Sequence, residues 1–116
     1  MDGNGEIHLS VVTVHEIEKG IALLEHRGAR ARANVLKSWL AGLLAAYDDK
    51  IVDFDVASAS ASGRLEAKAL ASGHDPGLAD SMIAGIAIAH DFVVVTRNAR
   101  HFLPFRIGVR TPDDVS

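Results

Sequence analysis

The chain has 116 residues, no cysteine and a formal net charge of -3 at pH 7. This length is typical of one domain, and the lack of cysteine excludes disulfides and thiolate metal sites. A reducing, cytoplasmic location fits that composition. The charge argues against a protein that holds nucleic acid through an overall positive field. Residues 1–6 lack the basic start of a signal peptide, and no apolar run is long enough to cross a membrane.

Hydrophobic patterning predicts strands that alternate with helices. Strands are predicted at residues 7–12, 50–55 and 92–95, with a further short strand near 106–109. Helices are predicted at residues 13–27, 29–47, 56–71 and 78–89. The helices carry apolar residues at helical spacing, whereas four consecutive apolar residues at 92–95 are typical of a strand covered on both faces. The alternation predicts one three-layer α/β/α domain over residues 1–116, with a mostly parallel sheet.

Polar residues from distant parts of the chain are predicted to meet at one edge of this sheet. Right-handed crossovers make each helix run antiparallel to the strands, so helix starts and strand ends share the carboxyl edge. Glu16 lies near the start of the first helix, Asp80 near the start of the fourth, and Asn98 just after the third strand. Ligands bind at this edge in open α/β sheets. Two carboxylates and an amide there suit Mg²⁺ or Mn²⁺ and phosphate chemistry.

Both acids also have structural explanations. Thr13 and Glu16 have the spacing of a capping box, in which the Glu16 side chain returns to the cap amide, and this role can coexist with a functional one. Asp80 can instead interact favourably with the helix N-terminus, where Asp75 is the predicted cap and Pro76 the first helical residue. On the predicted helix, Asp80 shares a side with Ile83, Ala84 and Ala87. An acid on that packed side needs hydrogen-bond donors or a cation.

The residues that follow the third strand complete the candidate site. Arg97 and Arg100 are predicted to contact a backbone phosphate, although an exposed surface position would also explain them. Thr13, Thr96 and His101 are candidate neighbours of the site, and a surface position would equally explain His101. A separate basic cluster is typical of solvated helix surface and consists of Arg27, Arg30, Arg32 and Lys37.

Three stretches of the sequence together resemble a PIN domain. They are Leu9-Ser-Val-Val-Thr-Val-His-Glu-Ile-Glu-Lys-Gly-Ile21, Gly77-Leu-Ala-Asp-Ser-Met-Ile-Ala84 and Val94-Val-Thr-Arg-Asn-Ala-Arg-His-Phe102. The likeness is closest to the VapC/FitB-type toxins of bacterial toxin–antitoxin pairs. It implies a Mg²⁺- or Mn²⁺-dependent endoribonuclease that cleaves RNA, is often a homodimer and is inhibited by a cognate antitoxin. It also matches Glu16 and Asp80 to two metal-binding acids, and the region of Asn98 to the place of a further acid.

Two departures from the family pattern predict weakened activity. Family members normally open with a strand that ends in Leu-Asp-Thr-Asn and supplies the first metal-binding Asp, and no such segment precedes the first strand here. His101 stands where many relatives carry Asp. We therefore expect a PIN-like domain that is N-terminally truncated relative to the family. Its flanking strands would pair directly, exchange between protomers or accept a separate upstream fragment, because unpaired backbone inside a sheet is costly.

Two further interpretations stay open at this point. The chain could be a non-catalytic PIN remnant that binds an antitoxin or another partner through helix surfaces near Ile17, Ile21 and Trp39. It could also be a flavodoxin-like receiver or binding domain. The receiver interpretation is the weaker one. It requires an acidic cluster after the first strand and a lysine near the last, and neither is evident in the sequence.

Overall fold

The structure is a computed structural model, and it describes residues 7–95 and 109–110. The elements in chain order are β1 (Ile7–Ser10), α1 (Val11–His26), α2 (Arg30–Ala46), β2 (Ile51–Val52), α3 (Val56–Ala71), α4 (Leu78–His90), β3 (Val93–Val95) and β4 (Val109–Arg110). The four helices lie where the pattern predicted them, and α3 has the predicted bounds. Strands β1, β2 and β3 are shorter than predicted, and the largest difference is in β2, which contains two residues rather than the six of 50–55.

The four strands form one sheet in the order β2-β1-β3-β4, and all three pairings are parallel. In the centre of the sheet Ile7 pairs with Val93 and His8 with Val94. Direct pairing of β1 with β3 is one of the three arrangements that the sequence left open. The backbone N–H and C=O groups that β1 and β3 turn toward each other are thereby hydrogen-bonded, so no unpaired strand edge is left between the two central strands.

Helices cover both faces of the sheet and bury two apolar clusters. Ile51 packs against one cluster and Val52 against the other, as expected for successive residues of a strand, whose side chains point to opposite faces. The first cluster consists of Leu9, Ile17, Ile21, Leu24, Ala33, Leu40 and Leu43, from β1, α1 and α2. The second consists of Val12, Ala69, Ile83, Ala84, Ile86 and Ala87, mainly from α3 and α4. The predicted three-layer α/β/α architecture is thereby confirmed.

Helix α1 starts earlier than predicted, and this changes the local role of Glu16. The cap is Ser10, whose hydroxyl accepts a hydrogen bond from the backbone N–H of Val12 at 2.9 Å. The capping box of Thr13 and Glu16 was therefore wrong. Both Ser10 and Thr13 are good caps, but the strand ends at Ser10, so Val11 and Val12 enter the helix. Glu16 then lies in the second turn, where no capping role accounts for it.

Helix α4 starts at Leu78, as the apolar pattern predicted, but its cap differs from the predicted one, and here Asp80 gains a local explanation. Its cap is Gly77, with a positive φ of 88° and no side-chain hydrogen bond to the helix. The prediction of Asp75 as the cap and Pro76 as the first helical residue was wrong, because the backbone turns at Gly77 in a conformation that favours glycine. Asp80 therefore lies in the first turn, where a carboxylate interacts favourably with the positive end of the helix.

Helices α3 and α4 pack closely as a hairpin. A methyl group placed on Gly85 would lie 2.5 Å from the carbonyl oxygen of Ser58 and 2.7 Å from Cβ of Ser62. The start of α3 is capped by Asp55, whose carboxylate accepts a hydrogen bond from the backbone N–H of Ser58 at 2.8 Å. The other carboxylate oxygen lies 2.9 Å from Nε2 of His90, at the end of α4. The hairpin is thus held by small residues along its length and by the contact between Asp55 and His90 at one end.

The helix surface proposed for a partner-binding remnant is not an open surface. Ile17 and Ile21 are each 4% exposed, and Trp39 is partly buried against the same apolar cluster. The prediction of a docking surface there was wrong, because α1 and α2 pack against each other through these side chains. No helix within the described ranges is long and apolar enough to cross a membrane.

Candidate active site

Glu16 lies on α1 beside two other polar side chains. Its carboxylate oxygen Oε2 is 3.2 Å from Nζ of Lys19 and 3.9 Å from Nε2 of His15. The Glu16 side chain is 37% exposed, and those of Lys19 and His15 are more open to solvent. An exposed pair of this kind contributes little to stability. The carboxylate is therefore accessible, and it can exchange Lys19 for another partner at a low cost in free energy.

Glu16 forms part of the wall of a cavity between the starts of α1 and α4. The cavity has a volume of about 460 Å³, which is within the range of small-ligand pockets. One wall comes from α1, another from the first turns of α4, and Phe54 closes a third side. The lining residues are Val11, Val12, His15, Glu16, Lys19, Phe54, Leu78, Ala79 and Met82. Apolar side chains therefore form most of the surface, with three polar groups on the α1 side.

Asp80 lies at the same end of α4 but is not part of the cavity wall. Its immediate neighbour Ala79 lines the cavity, as does Met82, and a helix advances about 100° per residue. Asp80 is half-buried. It shares its side of the helix with Ile83, Ala84 and Ala87, which are at most 5% exposed. The structure thus brings the two helix starts together around one cavity, and of the two predicted acids it places Glu16 in the wall.

The donor chemistry suits a divalent cation only in part. Carboxylate oxygens are the ligands that Mg²⁺ and Mn²⁺ prefer. Among the described residues, however, no three His, Asp or Glu side chains are grouped so that they could hold a metal ion. The described donor set is therefore incomplete, and no catalytic step through a metal follows from it. Five of the predicted site residues lie outside the described residues: Thr96, Arg97, Asn98, Arg100 and His101.

The cavity includes residues that sequence reasoning did not assign to the site. Lys19 and His15 were predictable in principle, because they lie within one helical turn of Glu16. Met82 follows Ala79 by three residues and so lies on the same side of α4. Phe54 had no usable signal, since its position depends on how the chain leaves the two-residue strand β2. Thr13 is buried and is not among the residues that line the cavity.

The fold and this arrangement agree with one protein family. The family model for the PIN domain matches residues 1–104, and the chain therefore belongs to the PIN-domain family. It is 34% identical over 108 residues to the plasmid stability protein StbB of Pseudomonas syringae pv. tomato, an alignment that covers 91% of this chain and 75% of the relative. It is also 34% identical over 107 residues to the VapC ribonuclease Y4jK of Sinorhizobium fredii, which covers 91% and 74%.

A solved structure supports the same relationship. The structure of FitAcB from Neisseria gonorrhoeae superposes with a TM-score of 0.68 at 30% sequence identity, over 92% of this chain and 76% of that chain. Within the PIN-domain family, the chain thus belongs with the toxins of the VapC and FitB kind. The resemblance seen in the sequence is confirmed.

Proposed function

We propose that this protein is a toxin-type endoribonuclease that hydrolyses RNA phosphodiesters with the help of Mg²⁺ or Mn²⁺. Membership of the PIN-domain family supports this proposal, together with the likeness to a VapC ribonuclease. The observation that carries it furthest is the position of Glu16. This acid has no capping role and lies half-buried at a cavity between two helix starts, where ligands of α/β sheets bind.

In this proposal Glu16 and Asp80 are the acidic residues of the site and its metal ligands. Glu16 offers an accessible carboxylate whose present partner is an exposed lysine. Asp80 offers a half-buried carboxylate in the first turn of α4, where the positive end of the helix interacts favourably with an acid. A divalent cation bound there would offset charge on the phosphate and make a bound water more acidic. Asn98 is proposed to support the acids, and Arg97 and Arg100 to contact phosphate.

Cleavage of single-stranded RNA tests this proposal. We expect cleavage by the purified protein in Mg²⁺ or Mn²⁺, loss of cleavage in EDTA, and at least a 100-fold loss on Glu16→Gln, the order of magnitude expected when a group that acts in the transition state is removed. Glu18→Gln is the matched control, because it removes the same charge from an exposed position of the same helix. Cleavage that survives both EDTA and Glu16→Gln would contradict the proposal.

A second test addresses metal binding directly. Titration of Mn²⁺ by calorimetry should give a smaller heat for Asp80→Asn than for the wild type, whereas Asp75→Asn at an exposed position should leave the heat unchanged. Equal heats for the wild type and Asp80→Asn would remove Asp80 from the site.

The proposed partners are RNA as substrate, a cognate antitoxin as inhibitor and a second copy of the chain in a homodimer. A second candidate function is a PIN-like module that binds its antitoxin or another partner without catalysis. It is favoured by one observation, the lack of a three-ligand cluster among the residues that the structure describes. Absence of cleavage with every RNA and metal tested, together with tight binding of the antitoxin, would favour this candidate.

A further inference from the structure

We propose that the cavity between α1 and α4 holds one unstacked nucleobase of the RNA substrate. This inference rests on the proposed ribonuclease function and adds to it a binding site for the base beside the phosphate that is cleaved. The cavity of about 460 Å³ shares its wall with Glu16. A phosphate held by Lys19, whose ammonium group lies 3.2 Å from that carboxylate, would place an adjacent base within reach of the cavity.

The lining of the cavity is suited to the faces of a base. Phe54, Ala79 and Met82 provide an aromatic, a small and a polarisable side chain on walls that come from different parts of the chain. Leu78 also lines the cavity and is 67% exposed, so a large apolar side chain is open to solvent there and could be covered by a bound base. Proteins that bind single-stranded nucleic acid use aromatic and apolar side chains in this way, because every base has an apolar face.

The polar side of the cavity favours a base over an apolar protein side chain. His15, Glu16 and Lys19 lie together on the α1 wall, with Lys19 and Glu16 separated by 3.2 Å. The edge of a base carries hydrogen-bond donors and acceptors that can meet these groups, and the ammonium group of Lys19 complements the charge of the adjoining phosphate. An aliphatic side chain would cover the apolar walls but would leave the three polar groups unmatched.

Binding measurements with base-free RNA test the inference without requiring cleavage. The probes are fluorescein-labelled RNA nonamers of A, C or U and a nonamer of the same backbone that lacks bases, measured by anisotropy in EDTA. Stacking of one base is typically worth a change in affinity of about 10-fold. We expect the wild type to bind at least one base-containing nonamer about 10-fold more tightly than the base-free nonamer.

Two variants locate that preference in the cavity. Ala79→Phe fills the cavity and should reduce the preference to about 1-fold, whereas the control Ala45→Phe, at an exposed position of α2, should retain it. Phe54→Leu keeps an apolar wall but removes the aromatic ring, and it should also lower the preference. It serves as the second variant if circular dichroism shows that Ala79→Phe does not fold.

The possible results separate this inference from the proposed function. RNA cleavage with equal binding of base-containing and base-free nonamers would overturn the nucleobase site and leave the ribonuclease intact. A preference unchanged by both cavity variants would place the base elsewhere and also overturn it. If the variants weaken the binding of a protein partner but not of RNA, the cavity is a protein-docking site. Failure of both cleavage and RNA binding would remove the proposed function and the inference together.

Discussion

The close packing of α3 against α4 predicts that Gly85→Ala destabilises the protein. In an exposed helix interior, replacing glycine by alanine stabilises the fold by about 0.5–1 kcal/mol. At Gly85 the new Cβ would lie 2.5 Å from the Ser58 carbonyl oxygen and 2.8 Å from the Ser62 backbone nitrogen. These are backbone atoms, so no flexible side chain can yield. Overpacking of this kind costs about 1–3 kcal/mol.

The two terms have opposite signs, and the overpacking term is the larger. We expect a net loss of about 1–2 kcal/mol in the free energy of unfolding, which corresponds to a fall of roughly 4–8 °C in melting temperature for a domain of this size. Gly63→Ala is the matched control, because Gly63 lies inside α3 and nothing would lie within 4 Å of its Cβ. That variant should gain about 0.5–1 kcal/mol.

Urea denaturation followed by far-ultraviolet circular dichroism measures both variants under the same conditions. The midpoints should move in opposite directions, with similar slopes, since neither substitution changes much of the surface exposed on unfolding. The contact between α3 and α4 would be refuted if Gly85→Ala were as stable as Gly63→Ala. In that case the helices would have to lie further apart at Gly85 than the structure places them.

Three further predictions follow from other contacts. Ser10→Ala removes the hydroxyl that caps α1 through Val12 and should cost about 0.5–2 kcal/mol by denaturant titration, and an unchanged stability would contradict this cap. Leu9→Ala leaves a cavity at a fully buried position and should cost about 2–5 kcal/mol in the same assay, and a much smaller loss would argue against its burial. The pKa of Asp55 is lowered, chiefly by hydrogen bonds from Ser58 and also by the charge of His90. Its stabilising effect is therefore complete above the unfolded-state pKa of about 4 and is lost as pH falls through the lower folded value. The stability gap between the wild type and Asp55→Asn, which keeps a capping side chain, should accordingly close in acid, and a gap independent of pH would contradict this account.

Much of the helical layer was predictable from the sequence, because long apolar periodicities specify both the type and the extent of a helix. The predicted and observed bounds of α3 agree, and Asp55 caps it. Helix starts were less predictable where two signals competed. Ser10 and Thr13 are both good caps, and the run of valines at 11–12 is typical of a strand. The tertiary structure decided for the helix, since Val12 is buried against α4.

The candidate site was predictable in part. Local rules place Glu16 and Asp80 near helix starts on the carboxyl side of the sheet, and α1 and α4 do lie together there. The rotation of each side chain about its helix depends on how the helices pack, and this separates Asp80 from the cavity wall. The partial burial of Trp39 likewise depends on how the helices pack. An apolar helix face alone does not indicate whether another helix of the same chain will cover it.

The pairing of β1 with β3 has a consequence for how the chain folds. The two helices of the α3–α4 hairpin are joined by six residues, 72–77, so their contacts form between neighbours and require little loop closure. Ile7 and Val93, by contrast, lie near opposite ends of the described chain, so their pairing requires a long loop to close. Contacts at such long sequence separation slow folding. We therefore expect the hairpin to assemble early and the closing of the central strand pair to limit the folding rate.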